Sequence, residues 1–508
     1  MKKVSILFMV MLTMAMSYAQ DINDVVRYAT ENLNGTARFR AMSGAFGALG
    51  GDFSAFSINP AGSAVFNTSE VTVSLSNYTN DNDASYFGTA TNSNESEFDL
   101  NQAGIVFVFN DMGDSDWRKI SLGLNVQNND NFYNNFFATG TNPSRGIADY
   151  FVSFANGFAL GDIAQLPGET DTDTYLFLGE TPNLGFGAQQ GFLGYEGFVI
   201  NPLLDEDSNT LYTSNADYSN GAIQDYIVQT SGFNRKYTFN LASQYRDNLY
   251  VGLNINSHDV DYRERTVLIE TPVNTLSGLQ YAEFSNELYT YGVGISFQVG
   301  AILKLQNIRL GGSYQSPTWY SLNDELIQGL STDFRNPANP TEILRRDIFP
   351  NVVNVYREHR IVTPGSITGS FAYIFGKKGL ISFDYGLKDY SNAKLRPSNE
   401  FIGPNNDINN QLQAASSYRV GGEYRINQLS LRGGYRFEES PFQDTTTVGD
   451  LEGYSFGIGY NFGSLSFDLA YDRSEQTNNP QLFQNGLVDR VNINNINSNV
   501  TFSVTFKL

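Results

Sequence analysis

Apolar and polar residues alternate one for one through much of this chain. In the last nine residues Val500, Phe502, Val504, Phe506 and Leu508 are separated by Thr501, Ser503, Thr505 and Lys507. A period of two puts the apolar set on one face of a β-strand and the polar set on the other. The pattern recurs at Ile120/Leu122/Leu124/Val126, Tyr237/Phe239/Leu241, Leu249/Val251/Leu253/Ile255 and Tyr291/Val293/Ile295/Phe297/Val299. It returns at Ile381/Phe383/Tyr385/Leu387, Tyr418/Val420/Gly422/Tyr424/Ile426 and Leu429/Leu431/Gly433/Tyr435/Phe437. Tyr454/Phe456/Ile458/Tyr460/Phe462 and Phe467/Leu469/Tyr471 close the clear set. With weaker segments at 71–77, 102–110, 303–314 and 365–375, fourteen strands are predicted.

The connections alternate in length. Short ones are expected near 111–117, 246–248, 301–303, 376–379, 427–428 and 463–464. Long ones are expected near 78–101, 128–234, 263–287, 315–364, 391–414, 438–450 and 475–497. Tight turns on one side and long loops on the other are the rule for an even-stranded outer-membrane barrel, and a soluble sandwich has no reason to obey it. The expected fold is all-β: a fourteen-stranded antiparallel transmembrane β-barrel over 68–508, with a large extracellular loop at 128–234. The alternating strand that ends on Leu508 is the kind of signal the barrel insertion machinery reads. Residues 20–67 lie outside the strand pattern, with Asp21–Asn32 as a candidate helix, and are small enough to fold into the lumen as a plug.

Composition agrees with this. No apolar stretch near twenty residues follows the N-terminus, and the mean hydropathy is −0.29, which excludes transmembrane helices but not strands that face lipid at every second residue. Composition alone would also allow a secreted β-protein; periodicity decides against it. Aromatic residues are 14% of the chain, enough for interfacial girdles. Lys2 and Lys3, the apolar run Val4–Met16 and Ser17-Tyr18-Ala19 read as a signal peptide over 1–19, cut before Gln20. With those lysines gone, the formal charge of −21 becomes −23, which argues against nucleic acid as a partner. The chain has no cysteine, so neither a lipid anchor on Cys nor a disulfide framework is available.

Signals of catalysis are nearly absent, and no enzyme, metal or cofactor is expected. The two histidines are His258, on the polar face of its strand, and His359, in a charged loop. An outer-membrane hydrolase would need His258 close to a serine and an acid. The acidic groups Asp171/Asp173 and Asp205/Glu206/Asp207 lack the spacing of a calcium loop and read as solvated surface. Asp384, Arg419, Glu423, Arg432, Arg436 and Asp468 fall opposite the apolar phase, hence toward the lumen, where interleaved signs suggest a lattice of ion pairs bracing wall and plug. In the largest loop Ile147, Tyr150, Phe151, Phe154 and Phe158 recur at helical spacing, and Ile223, Tyr226 and Ile227 repeat the theme. Phe177, Leu184, Phe186, Phe192, Leu193 and Phe198 lie between them. So many aromatics need burial, either against each other over the barrel mouth or against a hydrophobic ligand or partner protein.

The chain resembles the FadL/TodX family of outer-membrane transporters for hydrophobic compounds. Gly44-Ala45-Phe46-Gly47-Ala48 through Ser57-Ile58-Asn59-Pro60-Ala61-Gly62 looks like the family's N-terminal hatch, with its Asn-Pro-Ala-Gly turn at Asn59, Pro60, Ala61 and Gly62. Gly311-Gly312-Ser313-Tyr314-Gln315-Ser316-Pro317 and Phe383-Asp384-Tyr385 through Asp389-Tyr390-Ser391 match recurrent patterns. So does Tyr418 to Arg425 with Leu431-Arg432-Gly433-Gly434-Tyr435 and Ser440-Pro441. The resemblance implies fourteen strands, a hatch over 20–67 and passive uptake. External loops would capture a fatty acid or hydrocarbon-like molecule, an inner pocket would hold it, and it would leave sideways through the wall. Outer-membrane lipid and lipopolysaccharide are the implied surroundings. The mature start Gln20-Asp21-Ile22-Asn23-Asp24 departs from the apolar N-terminus of the fatty-acid transporters. The Asn-rich style and the Tyr-Ala-Gln cleavage site look like proteins of Bacteroidota. In that phylum PorV-like barrels of the family serve as subunits of secretion or assembly machines, and such a non-transporting subunit with other envelope proteins as partners is the alternative reading.

Overall fold

A computed structural model describes residues 20–111 and 115–508; residues 1–19, where a signal peptide is expected, and residues 112–114 lie outside the described residues. Fourteen antiparallel strands close into one barrel. In order they are β1 Glu70–Tyr86, β2 Thr89–Asn110, β3 Trp117–Asn131 continued as Asn134–Asn142, β4 Ala222–Tyr245, β5 Leu249–Pro272 and β6 Leu279–Leu305. Next come β7 (Ile308–Gln315 and Trp319–Asn336), β8 (Asn339–Ile348, Asn354–Val355, His359–Val362 and Ser366–Ile374) and β9 (Gly379–Asp389 and Lys394–Arg396). The circuit ends with β10 Ala414–Ile426, β11 Leu429–Glu438, β12 Leu451–Asn461, β13 Leu465–Asn478 and β14 Asn492–Lys507. β14 returns to β1 from Glu70↔Lys507 to Ser85↔Asn492, and the Leu508 N–H donates to Ser69 O at 2.8 Å.

The alternation is inside out relative to a soluble protein. On β14 Val500, Phe502 and Phe506 are exposed, while Thr501 and Ser503 are buried and bonded to Ser76 and Ser74 of β1 at 2.6 Å. Lipid covers the apolar face, and hydroxyl pairs satisfy the inner one.

Several stretches expected as loops are strand. β1 and β2 run through 78–101 to a turn at Phe87-Gly88, and β5 and β6 run through 263–287 except for 273–278. Much of 315–364 is strand as well, and so are the two ends of 475–497, leaving 479–491 as loop. Beyond the belt the outward phase turns polar. Thr79, Asp81 and Asp83 continue the face of Val71 and Val73 and pair with Ser96, Asn94 and Asn92. Hydrogen bonding continues where hydrophobic alternation stops. β6, with 27 residues, is roughly 90 Å long. At a tilt of about 40° it stands about 70 Å tall against an apolar band of ~25 Å. One tight turn is displaced: β6 reaches Leu305, so the reversal is at 306–307 rather than 301–303.

The N-terminal segment fills the lumen. It contains α1 Ile22–Ala29, α2 Ala37–Arg40, α3 Ala55–Ile58 and a 3₁₀ turn, Pro60–Val65. The Asp21 carboxylate caps α1, accepting from the N–H groups of Asn23 and Asp24. Of the long segment 128–234, only 143–221 is non-barrel. It folds over the mouth as α4 Ile147–Ala155, α5 Leu160–Ile163, α6 Asp171–Glu180, α7 Gly185–Glu196 and a short ribbon. α8, Ile402–Gln411, covers the mouth beside β9.

Candidate functional site: hatch, chamber and wall seam

The Asn-Pro-Ala-Gly turn seats the hatch. Asn59 Oδ1 accepts from Ala61 N–H at 3.1 Å, capping the 3₁₀ turn that Pro60 starts, and its amide donates to Gly47 O (2.8 Å) and Ala301 O (3.0 Å). The wall is hollowed to receive it. A Cβ at Gly300 would overlap Asn59 Oδ1, at Gly252 the Pro60 carbonyl carbon, and at Gly311 the Gly47 oxygen. Backbone thus lies on backbone at this level.

The six inward charges fall into three groups. Glu423, fully buried, takes Arg432 at 2.7 Å and Arg425 at 2.5 Å, and Arg432 continues to Asp468 at 2.6 Å. Arg419 and Arg436 share Glu438 at 3.2 and 3.4 Å. Asp384 faces Arg419 in register, but its Oδ2 accepts from Gly47 N–H at 2.9 Å instead. The hatch supplies partners that no sequence period marks: Arg38 to Glu423 at 3.1 Å and Arg40 to Asp472 at 2.7 Å. Burial works against the Arg40 guanidinium's charge, yet Asp472 raises its pKa. Glu31 behaves likewise: burial opposes its charge, but Lys388 at 3.7 Å, with Lys236, holds it down at about 2.

At the top of the hatch, α1 inserts Val25 and Tyr28 into an apolar chamber formed by Phe132, Val260, Tyr262, Tyr320, Leu322 and Ile361, roofed by Leu395, Phe401 and Ile408. Tyr28 meets Phe132 edge-on at 6.2 Å and Tyr320 at 5.9 Å. Arg27 lies 4.0 Å over the Tyr262 ring and pairs with Asp24 at 2.6 Å.

Beside this chamber the wall comes unzipped. β2 and β3 are laddered from Asn110↔Lys119 up to Gln102↔Gln127 and no further. Above that level β2 ladders with β1 alone, and β3 continues with β4 through a break at 132–133, its upper part lying against the β1–β2 hairpin through side chains. Side chains bridge the seam: Asn128 to Asp99 (2.6 Å), Asn131 to Glu97 (3.5 Å) and Asn82 to Asn135 O (2.7 Å). On the lipid side next to the seam's lower end lies a concave apolar groove of about 680 Å³, lined by Val73, Ile105, Leu124, Val126, Phe239 and Ile255, among others.

The loop aromatics mostly pack on one another. Phe151 and Phe192 are buried, Phe154 and Phe158 pack beside them, and Phe186 meets Phe154 at 5.5 Å. Phe284 of β6 anchors the cluster, 5.1 Å from Phe151. Phe177 is apart from these, 60% exposed. Asp171 pairs with Arg346 at 2.5 Å, and Asp173 completes the α6 capping box with Thr170. His359 is not in a loop: it is buried on β8, 3.7 Å from Asp324. His258 Nε2 does lie 3.2 Å from Ser296 Oγ, but its Nδ1 faces the Tyr320 hydroxyl, where a hydrolase would place a carboxylate.

These features define a plugged β-barrel of the Gram-negative outer membrane. The family described as outer membrane protein transport protein (OMPP1/FadL/TodX) matches residues 209–507, and the chain belongs to it. Among solved structures, a FadL homologue of Pseudomonas aeruginosa is similar at 13% identity and TM-score 0.53, covering 94% of this chain and 99% of that one. The toluene transporter TodX of Pseudomonas putida is similar at 15% identity and TM-score 0.50, covering 94% and 100%. Both share the fold. No curated protein matches the chain in sequence.

Proposed function

We propose that this barrel carries a small hydrophobic molecule, fatty acid or hydrocarbon-like, passively across the lipopolysaccharide layer and releases it sideways into the bilayer. The observation that carries this reading is the seam between β2 and β3, which lies between an apolar chamber inside and an apolar groove outside. Greasy solutes cross the sugar and phosphate layer poorly, and a wall that stands far above the lipid offers them a protected path. α1 fills the chamber with Val25 and Tyr28, so a ligand of similar bulk takes its place. α1 gives up its Arg27–Glu264 pair while Arg38 and Arg40 keep the rest of the hatch tied to Glu423 and Asp472, and the aqueous end of the lumen is bypassed. Movement needs no energy source, because the concentration gradient and burial of apolar area, about 25 cal/mol per Å², drive it.

The test exploits a chain without cysteine. Asp99→Cys with Asn128→Cys puts a thiol pair across the seam where the native side chains bond at 2.6 Å. Uptake of radiolabelled oleate and of toluene into cells carrying the oxidised pair is expected to fall and to recover on reduction. Full uptake through a seam proven shut would sink lateral release.

A further inference from the structure

The outward face of the wall passes from apolar to cationic where β8 meets β9. One row across the strands runs from Ile295 on β6 through Trp319 on β7 and Val362 on β8 to Lys394 on β9. The next row toward the long loops runs Val293, Ser321, Arg360 and Arg396. Between these rows Tyr320, Ile361 and Leu395 are buried against the lumen. Successive residues of a strand face opposite ways, so Lys394, Arg360 and Arg396 point out of the barrel, and all three are exposed. Trp319 stacks on Phe297 at 6.3 Å, and Ile367 and Leu387, paired across β8 and β9, continue the apolar face below. Exposed tryptophan marks the headgroup boundary of a bilayer. Arg360 is two residues beyond the level of Trp319, roughly 7 Å along the strand. The three cations therefore stand at headgroup height on the extracellular side.

Among the described residues nothing neutralises them. Arg360, Lys394 and Arg396 form no ion pair, and their one side-chain hydrogen bond runs from Arg396 Nη1 to Ser398 Oγ at 2.8 Å. Glu358, exposed nearby on β8, does not pair with them. Arg360 lies directly opposite Arg396, and like charges in that position destabilise a sheet. Other outward cations above the belt have a carboxylate. Arg263 is 3.5 Å from Asp261, Arg265 is 3.3 Å from Glu287, and Arg473 is 3.8 Å from Glu475. A chain of net charge −21 has acids to spare, yet places none here.

We propose that Arg360, Lys394 and Arg396 bind a phosphate of the outer leaflet's glycolipid, lipid A, whose acyl chains lie down Val362, Ile367 and Leu387. The phosphate esters of that lipid sit on sugars directly over the acyl chains, at the height of the three cations. One phosphate between Arg360 and Arg396 replaces their repulsion with charge-assisted hydrogen bonds, and the guanidinium fork suits its oxygens. Lys394, diagonal to Arg360, adds a third positive charge. Phospholipids of the inner leaflet lie at the other end of these strands. The site rests on the outer-membrane placement of the barrel and not on the transport reading.

The test titrates the purified, folded barrel in detergent with diphosphoryl lipid A and counts bound lipid by native mass spectrometry. One lipid A per barrel is expected to be retained. Lipid A stripped of its phosphates is expected to bind about a hundredfold more weakly, roughly fivefold for each cation that loses its partner. Arg360→Gln with Lys394→Gln and Arg396→Gln should cause the same loss, and Arg263→Gln with Arg265→Gln should cause none. Arg360→Lys with Arg396→Lys should keep most of the affinity. Heat-modifiable mobility on gels checks that each variant is folded, and the dephosphorylated lipid makes the test on the unaltered protein. Equal retention of dephosphorylated lipid A or of phosphatidylglycerol would overturn the proposal. So would equal loss in the Arg263 and Arg265 variant, or displacement of the lipid by an equal concentration of inorganic phosphate, which would make this a site for free anions.

Discussion

Asn128 donates its side-chain amide to Asp99 at 2.6 Å across the level where the backbone ladder between β2 and β3 has just ended. Two strands of a closed wall are thus held here by side chains instead of by N–H and C=O pairs. A hydrogen bond to a carboxylate contributes about 1.5–3 kcal/mol, less where water competes. Asn128→Ala is therefore expected to open the seam more often: amide exchange over 91–100 and 128–139 rises, and oleate uptake rises up to about tenfold. Faster exchange with unchanged uptake would separate the seam from transport.

Glu423 is the node of the buried lattice, with Arg38, Arg425 and Arg432 all within 3.1 Å. Glu423→Ala leaves buried guanidinium groups without their acceptor, which costs about 3–5 kcal/mol. The folded form, read by its heat-modifiable mobility on gels, should be lost at a clearly lower temperature. Glu423→Leu with Arg38→Met, Arg432→Met and Asp468→Leu should recover much of that loss, because an apolar replacement of the whole group, Asp468 included, leaves no buried charge stranded. If the single change has no effect, the lattice does not brace the wall.

Gly300 tests how firmly the hatch is seated. Any Cβ there overlaps Asn59, whose amide ties the turn to Gly47 and Ala301. Gly300→Val should leave the strands able to close, since β6 is wall on both sides, but should push the hatch off its seat. Cells should then admit a hydrophilic antibiotic such as vancomycin. A tight barrel with a displaced hatch would mean that the loop cap, not the hatch, seals the lumen.

The lower barrel was legible in the sequence because lipid outside and hydroxyl pairs inside impose a strict period of two. Val500 to Leu508 carries that pattern in plain view. The upper wall was not, because Asp81 and Asn94 pair just as Val71 and Ile105 do while leaving no apolar phase to count. The inward direction of Asp384 and Arg419 followed from phase, yet their failure to pair with each other depends on Gly47 and Glu438 from elsewhere in the fold. Arg38 and Arg40 had no periodic context at all. The seam is an absence of pairing, and a sequence records what a strand can bond, not where its neighbour turns away.

Asp24 gives the chamber a dependence on pH. Burial pushes its carboxyl up to about 7, against the pull of Arg27 at 2.6 Å, with Asp21 and Asp324 adding to the rise. Tyr28, Tyr262 and Glu264 around Arg27, and His359 beside Asp324, complete the groups near it. A carboxyl whose pKa is raised in the docked state favours docking most below its unfolded value near 3.9, and that contribution is lost as pH rises through 7. α1 should therefore leave the chamber more readily at pH 8 than at pH 6. A fluorophore on Asn23→Cys should report a looser environment and faster quenching at the higher pH, after correction for the dye's own titration. Asp24→Asn keeps a neutral polar group at the site and should flatten the response. A pH profile that survives Asp24→Asn would assign the response to a group other than Asp24.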